Sequence, residues 1–105
     1  MPYMIYTVDK PDSRAVRDAH RAAHYEFLQR HQKRLIASGG LQDDAGEVFN
    51  GGTILLDVDT RQEAQAFVDE DPFTHAGLAQ TVVITRWKMA FFDGARVAPP
   101  QEPRT

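Results

Sequence analysis

This chain has only two long helical patterns to set against four strand-like stretches, and three of those stretches are apolar on both faces. In Tyr3 to Val8, alternation sends Met4, Tyr6 and Val8 one way and Tyr3 and Ile5 the other. Thr53 to Val58 is an apolar run too continuous for one buried face. The last stretch, Gln80 to about Phe92, carries Val82, Ile84, Trp87, Met89 and Phe91. The order β-α-β-β-α-β is the split βαβ pattern of ferredoxin-like folds, an α+β class with a four-stranded antiparallel sheet and helices on one face. Helices cover one face of such a sheet and would leave the other as a large exposed apolar patch. A second copy packed sheet to sheet removes that patch, so we expect a two-fold homodimer.

The elements between are set by local signals. Asp9 to Ser13 reads as a turn, with Asp12 or Ser13 as helix cap. The helical stripe Val16, Ala19, Ala23, Phe27 and Leu28 then runs to about Arg34, with room for a break between Arg17 and His20. Leu35 to Leu41 changes period and reads as a second strand bent at Gly39 and Gly40. Gln42 to Glu47 is a polar loop, and Val48 to Asn50 a brief pairing segment. Thr60 with Glu63 forms a capping box ahead of Ala64, Phe67 and Val68. Pro72 disfavours helix at Asp71, so that helix should end near Glu70 and a short one run to Leu78. We expect one domain over residues 1–94. Ala95 to Thr105, with three prolines and no periodicity, is expected as a mobile tail.

Composition removes several function classes. The net charge of −3 and the lack of a basic stripe longer than Arg30 to Arg34 argue against nucleic acid as a partner. The chain has no cysteine, which excludes disulfides, zinc knuckles and thiol catalysis. Met1 to Tyr6 shows neither a basic leader nor a long apolar run, so a cytoplasmic protein without a membrane partner is expected. Gly51-Gly52 lacks the spacing and the following helix of a phosphate loop.

Two patterns could carry chemistry. Asp71 sits at the forced break before Pro72, where it either caps the short helix or aims its carboxylate into a cleft. His20, His24, Phe27 and His31 follow one helix face, and His20 with His24 has metal-ligand spacing; no acidic residue on that stripe completes a site, so Asp71 or His75 would have to arrive from elsewhere. A His–Asp dyad asks for less. A carboxylate on one imidazole nitrogen fixes the tautomer and leaves the other nitrogen to move a proton. With four histidines and fifteen carboxylates, spacing alone does not choose the pair.

A resemblance narrows the choice. The strand Tyr3-Met4-Ile5-Tyr6, the run Arg21-Ala22-Ala23-His24, the bend Leu35 to Gly40, the strand Gly52 to Val58 and above all Asp71-Pro72-Phe73 occur in this order over about residues 3–92. Together they resemble the YCII-related (YciI-like) family of small bacterial proteins, within the dimeric α/β-barrel superfamily. The resemblance implies a ferredoxin-like dimer with an active site on a His–Asp pair, which by position is His24 and Asp71. It implies Arg21 as the anchor for an anionic or phenolate group, and Ser38 as a hydrogen-bonding residue of the ligand cleft. Similarity to a dehydrochlorinase of chlorinated hydroxyhydroquinone, and to muconolactone isomerases, implies proton transfer on small oxygenated rings without a cofactor. The leading expectation is therefore a cofactor-independent lyase or isomerase. The rival is a non-catalytic module of the same fold that binds a small ligand or a partner.

Overall fold

The structure is a computed structural model and describes residues 2–98. Its main sheet has the order β2-β3-β1-β4, built from β1 (Tyr3–Asp9), β2 (Leu35–Gln42), β3 (Phe49–Leu56) and β4 (Ala79–Arg86). All three pairings are antiparallel, with β1 in the interior between β3 and β4. Helix α1 (Arg14–Arg30) connects β1 to β2, and α2 (Arg61–Glu70) with the single turn α3 (Pro72–His75) connects β3 to β4. This is the expected ferredoxin-like order.

Alternation along β1 decides which side of the sheet becomes the core. Tyr3 and Ile5 are buried with Leu56 of β3, against Phe27 and Leu28 of α1 and Ala64, Phe67 and Val68 of α2. Ile5, Phe27, Leu56 and Phe67 are fully enclosed. Burial on this scale is worth roughly 1.5–3 kcal/mol per side chain. The two helices thus share one sheet face. On the other face Tyr6 and Val83, which are cross-strand partners, remain 38% and 39% exposed.

Several boundaries differ from the sequence reading. Helix α1 runs without a break through Arg17 to His20 and stops at Arg30; Gln32–Arg34 is a separate 3-10 turn. Ser13 makes no side-chain cap bond, and the preceding Asp12 takes φ 56°. At α2, Thr60 accepts from the Glu63 N–H, but the Glu63 carboxylate accepts a hydrogen bond from the Thr60 hydroxyl rather than from the cap backbone N–H. The expected pairing segment at Val48 to Asn50 joins the third strand, which begins at Phe49.

The last strand ends at Arg86, and Phe91–Phe92 pairs instead with Ala95–Arg96 as a separate hairpin, β5 with β6. Asp93 and Gly94 turn it with φ 53° and 77°, the left-handed pair of a type I′ turn. Ala95 to Ala98, placed in the tail by the sequence, therefore fold back, and Ala98 is buried. The remainder of the expected tail, residues 99–105, lies outside the described residues. No described helix is long and apolar enough to cross a membrane.

Candidate active site

The break at Pro72 builds the centre of the site. Asp71 leaves α2 with φ −67° and ψ 128°, the extended conformation that a following proline favours. Its Oδ1 accepts the Phe73 backbone N–H at 2.9 Å, capping α3. The same oxygen lies 2.8 Å from His24 Nδ1 on α1. The two sequence readings of Asp71, cap and partner of a histidine, describe one geometry. Both side chains are nearly enclosed, at 16% exposure for His24 and 11% for Asp71.

Phe73 completes the unit. Its ring stacks on His24 with 4.0 Å between centroids and 16° between planes. Asp71 thus fixes one edge of the imidazole and Phe73 one face. With a carboxylate opposite, Nδ1 carries the proton. Nε2 makes no hydrogen bond to the described residues and is left for a ligand.

His24 opens on a cleft of about 130 Å³ between α1 and the helix-facing side of the sheet. Register puts Thr7 opposite Gly52 and Gly52 opposite Gly40, so side-chain-free positions leave room in the floor. A Cβ on Gly40 would lie 2.6 Å from the Phe49 ring that crosses it, so the ring keeps this position only over a glycine. Ser38 also lines the cleft.

The sequence reading missed Arg17. It is the one basic residue among the buried described residues, 8% exposed. Nε donates to Asp9 Oδ2 at 2.8 Å and Nη2 to Asp9 Oδ1 at 3.1 Å, while Nη2 also donates to the Gly51 carbonyl at 3.0 Å. The close approach depends on glycine, since a Cβ on Gly51 would stand 2.1 Å from the Thr7 carbonyl oxygen. The Arg17 guanidinium carbon is 5.0 Å from the Phe73 centroid and 5.3 Å from that of Phe49. One sequence signal was available: Arg17, Arg21 and His24 fall at steps of four and three along α1 and so share a face.

Arg21 lines the cleft, but its Nη2 is 2.9 Å from Asp18 and its side chain is 39% exposed. His31 points elsewhere: its Nδ1 accepts from Arg34 Nη2 at 2.9 Å and its ring packs on Phe27 and Phe67. Among the described residues no group of three or more histidines and carboxylates is gathered as a metal site.

Known proteins share this frame. Residues 1–88 match the family model of the YCII-related domain. Protein YciI of Escherichia coli O6:H1 is 33% identical over 98 residues, covering 87% of this chain and all of that protein. Uncharacterized protein YjpA of Bacillus subtilis is 35% identical over 72 residues, covering 67% of this chain and 78% of that protein. Among solved structures, 5-chloro-2-hydroxyhydroquinone dehydrochlorinase (TftG) of Burkholderia phenoliruptrix AC1100, in complex with 2,5-dihydroxybenzoquinone, aligns with a TM-score of 0.76. That alignment is 31% identical and covers 84% of this chain and 94% of the enzyme. With a family model spanning most of its length and a full-length relative above 30% identity, the chain belongs to the YCII-related domain family.

Proposed function

We propose that the protein is a cofactor-independent acid–base enzyme, a lyase or isomerase acting on a small oxygenated ring. The observation that carries this reading is the 2.8 Å contact of His24 Nδ1 with Asp71 Oδ1 at the wall of a cleft. Asp71 orients the imidazole and stabilises the imidazolium; His24 Nε2 takes a proton from substrate carbon or oxygen. The electron pair released moves into the ring. In a lyase it expels a leaving group from the neighbouring carbon. In an isomerase the imidazolium returns its proton to another carbon. In the lyase the imidazolium then passes its proton to the departing anion or to water, so in either reaction the residue ends as it began and no redox partner is required. The 31% identical dehydrochlorinase supports the lyase form.

The direct test is chloride release from 5-chloro-2-hydroxyhydroquinone, or turnover of a muconolactone. His24→Gln is expected to lower turnover at least about 100-fold while the protein stays folded. Unchanged turnover would sink the assignment. If the wild type binds such rings without converting them, and His24→Gln binds equally well, the protein is the non-catalytic binding module instead. We read the open sheet face, with Tyr6 and Val83 half exposed, as the dimer face of the same protein.

A further inference from the structure

We propose that Arg17, rather than Arg21, receives the ligand oxygen that becomes negatively charged, and that the cleft therefore selects hydroxyl-bearing acids that enter neutral over standing carboxylates. The inference rests on the acid–base reading of the same cleft. A guanidinium has five N–H donors. Asp9 and the Gly51 carbonyl take three of them, through Nε and Nη2. The two on Nη1 meet no acceptor among the described residues. Nη1 is not sealed away either, because no enclosed side-chain nitrogen or oxygen of the described residues lacks a partner. Arg17 lines the cleft between two rings that also line it, Phe49 and Phe73, and Phe73 is the ring stacked on His24. Held by two acceptors and nine-tenths buried, this edge is pre-oriented.

Charge then sets the ligand class. Asp9 offsets Arg17, Asp18 is shared between Arg14 and Arg21 outside the cleft lining, and Asp71 stands beside His24. The charged side chains lining the cleft, Asp9 and Asp71 against Arg17 and Arg21, already balance, so a standing carboxylate would bring in a charge with no counterion of its own. A neutral phenol or enol avoids this. Its O–H bond breaks, the proton goes to His24 Nε2, and the electron pair stays on oxygen against Arg17. Imidazolium faces Asp71 and the oxyanion faces Arg17.

The probes are 4-nitrophenol, 4-nitroanisole and 4-nitrobenzoate with the full chain. Below the phenol's own pKa, wild-type protein is expected to raise the visible phenolate band and to bind nitrophenol about tenfold or more tighter than either analogue. Arg17→Gln should lose the band about tenfold, and Arg21→Gln should keep it within about twofold. If Arg17→Gln fails to fold, the guanidinium ¹⁵N resonance of Arg17 in the wild type should shift when nitrophenol is added. Equal or tighter binding of nitrobenzoate, no phenolate band, a band lost in Arg21→Gln, or an unmoved Arg17 resonance overturns the assignment. Chloride release that disappears in His24→Gln would leave the acid–base reading standing even then.

Discussion

Asp71 Oδ1 accepts from both Phe73 N–H and His24 Nδ1, and the two roles can be separated by substitution. Serine is as good a helix cap as aspartate, but it offers His24 no carboxylate. Asp71→Ser is expected to stay within about 1 kcal/mol of wild-type stability in urea titrations. Its turnover should fall roughly 100-fold or more. Equal losses of stability and activity, restored together by a stabilising condition, would reduce Asp71 to a cap. A second residue-scale prediction concerns Asp9, whose carboxylate is 7% exposed against Arg17 at 10%. Asp9→Ala leaves a buried charge without its partner and is expected to cost about 3–5 kcal/mol of unfolding free energy. Asp9→Ala with Arg17→Met should recover part of that loss, because the unpaired charge is gone. A double variant no more stable than Asp9→Ala would contradict this account.

At the scale of elements, the loop between β2 and β3 is tied by Asp43. Its Oδ1 accepts the backbone N–H groups of Glu47 and Val48 at 2.9 and 3.1 Å. Those bonds favour the charged form and hold the Asp43 carboxyl below its ordinary 3.8. A lowered folded-state value means the contribution is complete above the ordinary value. It is lost as pH falls through the lower one. Amide exchange at Glu47 and Val48 is therefore expected to show protection that weakens under acid, and Asp43→Ala to remove that protection at neutral pH. Equal protection in the variant would show that the loop needs no carboxylate. The loop matters to the site because it delivers Phe49, whose ring lies over Gly40 and beside Arg17 and Arg21.

At the scale of the molecule, the helices and the cleft occupy one sheet face, and the other carries Tyr6 and Val83 with Met4 and Leu55 partly covered. A stable sheet-to-sheet pair should bury on the order of 1,200–2,000 Å². Sedimentation of the wild type is expected to give a dimer, and Tyr6→Asp with Val83→Asp a folded monomer. A monomeric wild type would remove the sheet face from the interface. The cleft lies on the helix side, so ligand binding by the monomeric variant is expected to persist if each subunit builds its own site.

Periodicity and punctuation made most of the frame legible. Alternation in Tyr3 to Val8, the capping pair Thr60 and Glu63, and the proline at 72 are local signals, and each produced its element near the expected place. The hairpin at Asp93-Gly94 is also written locally, in a dipeptide that tolerates left-handed backbone, although it falls where the expected tail begins. The pairing of His24 with Asp71, 47 residues apart, came from resemblance to a family; the residues alone offered too many combinations. Arg17 reads along its helix like any solvated arginine. Its burial depends on the end of β1 bringing Asp9 and a glycine at 51 letting a carbonyl approach. Local residue pattern sets which segments become helix and strand, because those choices depend on neighbours a few residues away. Which charges are enclosed and paired follows only from the folded chain, because it depends on strands and helices meeting from distant parts of the sequence.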